Sequence, residues 1–233
     1  MTHDRRVWLA WATFALAIGT WLATLVGYVA LKPSTGDWGG ADLFANLPFI
    51  LMVLAFDVIG VLITTRRPGN AIGWLVLGIG LSWSAGDLLS ALGQYGFDHG
   101  WSNADVIIAL SQPTWLPPIG LTGTFLILLF PDGHLPSPRW RWFAWTIGIG
   151  MTLVGLVLLL APGTFEDSGY PNMSNPLGIE AIRPVEGVLL VGLLIIPIGM
   201  LGSMVALVQR YRRSAGVERQ QMKWLAYAAF MPA

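Results

Sequence analysis

Residues 46–81 read NLPFILMVLAFDVIGVLITTRRPGNAIGWLVLGIGL, two apolar runs joined by Arg66-Arg67-Pro68-Gly69-Asn70. A helix needs about 20 apolar residues to cross a hydrocarbon core of about 30 Å, and 46–65 has that length with one ionisable residue, Asp57. Two arginines stop the first run, Pro-Gly turns the chain, and Asn70 is placed to cap the next helix. A hairpin of two such helices cannot belong to a small soluble fold. The expected class is therefore all-α, a polytopic integral membrane bundle.

The rest of the chain agrees. Of 233 residues, 55% are hydrophobic and 11% charged, against about 25% charged in soluble domains. Mean hydropathy is +0.63 and there are twelve tryptophans. Working outward from the hairpin, the same length criterion predicts six complete spans, 7–31, 46–65, 71–95, 105–130, 142–161 and 186–208. A seventh run, 224–233, is about half a bilayer long; it reads as a truncated span or as an interfacial helix anchored by Trp224 and Tyr227. The first run follows Arg5 and Arg6 like a signal peptide, but about 25 apolar residues are too many for one. The segments between spans are too short to bury a core, so 1–233 reads as one transmembrane domain.

Basic residues in short loops set orientation. With the N-terminus cytoplasmic, 11 of 13 fall inside: Arg5, Arg6, Arg66, Arg67, Arg139, Arg141, Arg210, Arg212, Arg213, Arg219 and Lys223. Lys32 and Arg183 fall outside, with eight acids. Net charge is zero, 13 basic against 13 acidic residues, so no global field suggests a nucleic-acid partner. The absence of cysteine removes disulfides and thiolate chemistry. No phosphate loop, metal cluster or nucleophile–base set is evident, so no cofactor is expected.

Four residues are candidates for ligand binding. Asp57 and Asp87 lie inside predicted spans, about 13 and 24 Å from the inner boundary, where an ionisable group is costly and marks a functional hypothesis. The structural alternative is a hydrogen-bonded acid at a helix interface. Gln112-Pro113-Thr114-Trp115-Leu116-Pro117-Pro118 cannot continue a regular helix, so the fourth span is expected to start as late as Leu116. An outward-facing pocket near Asp87, Gln112 and Trp115 is one reading; a kinked helix without ligand is the other.

The second inner loop reads FPDGHLPSPRWRW over 130–142. With the RRPGN turn, Asn175-Pro176-Leu177-Gly178 and the segment RRSAGVERQQMKWL over 212–225, it resembles the multi-pass N-terminal membrane region of bacterial sensor histidine kinases of actinobacterial and chloroflexal type. The resemblance implies an inner-membrane protein acting in two-component signal transduction. It further implies a kinase core beyond residue 233, dimerisation through that core, and a response regulator as partner. Arg212, Arg213, Glu218, Arg219 and Lys223 would then form the segment that carries output. The chain itself contains no phosphoacceptor helix or nucleotide-binding box. His134 stands where the family commonly has Arg and is not carried over as a phosphoacceptor. A small-molecule or proton-coupled transporter using Asp57 and Asp87, or a membrane scaffold, are the alternatives from other classes.

Overall fold

The computed structural model describes residues 3–31, 43–170, 172–185, 187, 191–214, 216, 217, 219 and 220. The fold is all-helical, with 78% of residues in helix. The helices are α1 (His3–Leu31), α2 (Leu43–Arg66), α3 (Ala71–Asp98), α4 (Ala104–Ser111), α5 (Leu116–Gly120), α6 (Ile127–Leu129), α7 (Trp140–Leu160) and α8 (Ile195–Arg213). A π-helix, Leu121–Leu126, joins α5 to α6, and the short 3-10 turns Glu166–Ser168 and Glu180–Val185 lie between α7 and α8. Among the described residues the nearest thing to a sheet is one antiparallel bridge, Thr164 to Ser174.

Four helical stretches are long and apolar enough to cross a membrane: Asp4–Gly27, Leu47–Arg66, Ala71–Asp98 and Trp140–Leu160. Large apolar side chains on them face outward, among them Leu16, Leu22, Leu51, Ile59, Leu62, Leu153 and Leu156. Helices apolar on their outer as well as inner faces belong in lipid. The chain is a membrane protein.

α3 is the hub, packing against α1, α2, α4 and α5. Its sequence explains this, because small residues mark each contact and let neighbouring backbones come close. Gly73 meets Thr64 and Ile63 of α2, Gly86 meets Thr114, Gly93 meets Ile107 and Ile108 of α4, and Gly96 meets Trp101 and Ala104. In return, Gly60 of α2 abuts the backbone of Leu77. α1 docks through Ala10, buried with Val61 and Leu77, and through Thr20, whose hydroxyl donates to Ser84 Oγ at 2.8 Å.

A second group surrounds α7. Gly120 receives Met151, Gly150 receives Ile195, Gly202 receives Phe143, and Gly199 of α8 lies against Thr124 of the π-helix and Ile147.

Two stretches differ from single membrane-length helices. In 105–130 the chain breaks at Gln112–Trp115, as the prolines require, and restarts with Pro117 and Pro118 in the first turn of α5, where a missing N–H costs no helical bond. From Leu116 to Leu129 the helix rises about 21 Å, less than a bilayer core. In 186–208 the described residues 187, 191 and 192 are helical, a turn at Leu193 and Leu194 interrupts them, and α8 then runs from Ile195 past Val208 through Arg210 to Arg213. Residues 224–233, with Glu218 and Lys223 of the expected output segment, lie outside the described residues.

Candidate functional site

Three of the basic segments meet at one end of the bundle. α2 ends at Arg66, and the Arg67 amide donates to Ile63 O at 2.7 Å. Pro68 and Gly69 turn the chain, and Asn70 Oδ1 accepts the amide of Ile72 at 2.9 Å, the N-cap bond expected for α3. Pro68 O accepts from Trp74 Nε1 at 3.3 Å and from Arg6 Nη1 at 3.4 Å, which ties the N-terminal helix to the same turn.

The 130–134 loop lies against this hairpin. Helix α6 stops at Leu129, the Gly133 amide donates to Leu129 O at 2.8 Å, and Asp132 Oδ1 accepts the His134 amide at 3.0 Å. Gly133 has φ +80°, and a side chain there would collide with Asn70 Oδ1. Only glycine satisfies both the left-handed backbone and the contact.

Arg210, near the end of α8, closes the arrangement. Its Nη1 donates to Phe130 O at 2.6 Å and to Asp132 Oδ1 at 2.9 Å, and its Nη2 donates to His134 O. The arginine side chain is 13% exposed and the Asp132 side chain 49%. Charge-assisted bonds of this kind are stronger than neutral ones. Arg210 counted in the sequence only as a basic residue near a membrane boundary; Pro131-Asp132-Gly133 alone did not identify its partner. Beyond it, Arg212 and Arg213 are exposed in the last turn of α8, and the Arg219 guanidinium lies 4.9 Å from the Tyr211 ring centre.

The two intramembrane acids are separate. Asp57 is fully buried; both carboxyl oxygens lack a hydrogen-bond partner and face Gly80 so closely that a Cβ there would overlap them. Asp87 is half-buried, with Oδ2 unpartnered. It lies seven residues beyond Gly80 on α3, about 10 Å of helix rise. Its neighbour Gly86 packs on Thr114, which puts the proline-broken segment alongside α3 at this level.

Gln112 is held by hydrogen bonds and Trp115 is partly buried. Gln112 Oε1 accepts from Ser168 Oγ at 3.1 Å, and its Nε2 donates to Ile108 O at 3.4 Å. Trp115 is the half-buried residue leading into α5. A cavity of about 340 Å³ at this end is lined by Phe97, Trp101, Ser102, Asp105, Asn172 and Met173; neither Gln112 nor Trp115 contributes to it.

Asn175 has an architectural role that the sequence did not reveal. Its Nδ2 donates to Leu159 O at 2.9 Å and Ala161 O at 2.8 Å, filling carbonyls that the end of α7 leaves open. Its Oδ1 accepts the Leu177 amide at 3.0 Å. Gly178 follows because a Cβ would come within 2.8 Å of Pro162 Cα.

No family model, curated protein or solved structure matches this chain. The geometry of the basic end and the placement of the acids carry the functional argument.

Proposed function

We propose that this chain is the membrane sensor and anchoring region of a two-component histidine kinase, six spans with a cytoplasmic N-terminus, in the bacterial inner membrane. The supporting observation is the Arg210 junction. It links the end of α8, which leads into the basic segment 212–223, to the 130–134 loop and through Gly133 to the α2–α3 hairpin. A shift of one helix group against the other changes this junction and is passed along α8 to the output segment. A ligand or membrane state that binds the two arrangements unequally sets their populations.

The gene provides the test. The reading frame containing codon 233 is expected to continue into a phosphoacceptor helix pair and an ATP-binding core, and the full-length protein to label on histidine with ATP, whereas residues 1–233 alone do not. A frame without a kinase core overturns the reading. Topology is tested separately by reporter fusions: after Thr35 and Thr164 they should report outside, and after Asn70, Ser137 and Ser214 inside. A cytoplasmic signal at Thr164 overturns the six-span arrangement.

The unpartnered carboxyl of Asp57 favours one second reading, a proton-coupled transporter. Proteoliposomes holding the chain would then show proton-driven uptake that Asp57→Asn abolishes.

A further inference from the structure

A groove of about 670 Å³ runs along α7 on the side of Phe125, bounded by Leu135, Trp145, Gly148, Ile149 and Leu153, with Arg141 at its loop end. Its size is that of an ordinary ligand site, about 300 to 1,000 Å³, but its chemistry is not that of a site for a water-soluble molecule. The lining is almost wholly apolar. Its one hydroxyl, on Thr152, is spent on Gly148 O at 2.9 Å.

Arg141 is exposed, and its guanidinium makes no hydrogen bond or ion pair among the described residues. The acid of the preceding loop, Asp132, is engaged with Arg210. An apolar slot thus ends in one uncompensated cation.

Depth identifies the occupant. From Arg141 to Leu153 is twelve residues, about 18 Å of helix rise, against about 15 Å for one leaflet of the hydrocarbon core. The groove therefore reaches from the headgroup level to the bilayer midplane. Trp142 and Trp145, 80% and 64% exposed, mark that headgroup level as interfacial tryptophans do. We propose that this groove is a binding site for an anionic phospholipid, with the phosphate on Arg141 and one acyl chain lying along α7 over Gly148.

Gly148 makes the groove testable. A Cβ there would sit 3.5 Å from the Phe125 ring, ordinary contact, so alanine is tolerated while leucine fills the slot. Native mass spectrometry of the chain in detergent, titrated with phosphatidylglycerol or phosphatidylcholine, measures the preference. Wild type should bind one phosphatidylglycerol about fivefold more tightly, the scale of one basic residue at an anionic surface. Arg141→Ala should reduce that affinity to the phosphatidylcholine level, and Gly148→Leu should weaken both lipids, while Gly148→Ala keeps them. Arg67→Ala, which removes an equal exposed charge elsewhere, should change nothing. The proposal fails if wild type shows no preference, if the preference survives Arg141→Ala, if Arg67→Ala removes it equally, or if Gly148→Leu binds like wild type. It also fails if glycerol phosphate displaces phosphatidylglycerol at equal concentration, because the site would then recognise a soluble anion.

Discussion

The two ends of the bundle are held together by different chemistry. At the basic end, polar contacts join segments remote in sequence, Arg6 to Pro68 and Arg210 to Asp132 across 78 residues, and Gly133 packs closely on Asn70. At the opposite end, Phe165 is buried with Ile108 and Ala109, and Phe97, Tyr170, Met173 and Leu177 pack around them. The Phe165 amide donates to Met173 O at 2.9 Å and the Asn175 amide to Gly163 O at 2.9 Å, folding the α7–α8 connection onto itself. Burial, and then the nearby Asp98, hold the Tyr170 phenol above its ordinary range. A packed plug resists small displacements because its contacts must be lost together. A latch made of a few directional bonds changes when one partner moves, so the basic end is the more sensitive of the two to helix movement.

Four substitutions sharpen or break this contrast. Asn175→Ala removes the cap of α7 and leaves two carbonyls open, with an expected loss of about 2 to 3 kcal/mol in thermal unfolding in detergent; an unchanged melting temperature would mean that water replaces the amide and the plug is not closed. Gly133→Ala forces a left-handed backbone on alanine and pushes into Asn70, about 1 to 2 kcal/mol. The equivalent stability of a Gly133→Ala variant would show that the two loops do not need their contact. Arg210→Gln is expected to cost only about 1 kcal/mol, because Asp132 is half-exposed and screened, and, if the proposed kinase function holds, to uncouple signal from phosphorylation in the full-length protein; wild-type signalling in that variant would remove the latch from the proposed mechanism.

The smallest effect is expected at Glu180. Its bond with Arg183, 2.8 Å from Nε to Oε2, lowers the carboxyl below its ordinary range. A lowered carboxyl adds stability above the unfolded-state value and loses it as pH falls through the folded-state value. Both side chains are exposed, so Glu180→Gln should leave the melting temperature unchanged at neutral pH and on acidification. A measurable acid-dependent difference would show that the α7–α8 connection relies on charge as the basic end does.

Much of this architecture is legible in the sequence because its causes are local. Hydropathy over 46–65 and 71–95 marks the hairpin, Asn70 precedes the helix it caps, and the prolines at 113, 117 and 118 mark the break before α5. The isolation of Asp57 from Asp87 follows from helix rise alone. Causes distant in sequence are not legible. Nothing near Asp57 indicates that Gly80 faces it, nothing near Arg210 indicates Asp132, and Asn175 resembles a turn residue until the end of α7 lies beneath it. Gln112 and Trp115 stand out in the sequence because prolines surround them, and the structure shows the helix break that those prolines impose.

The π-helix at Leu121–Leu126 carries a final consequence. A helix of wider turn holds an extra residue, and one residue corresponds to about 100° of rotation in an α-helix. Deleting a single residue there would let the stretch relax to regular α geometry and rotate everything beyond it. Leu128 would leave its buried position, and the loop that receives Arg210 would face a different side of the bundle. The azimuth of the whole 130–142 loop is thus fixed by one irregular turn some ten residues away, and an insertion or deletion in that turn acts as a rotation at the end of the bundle rather than as a change in length.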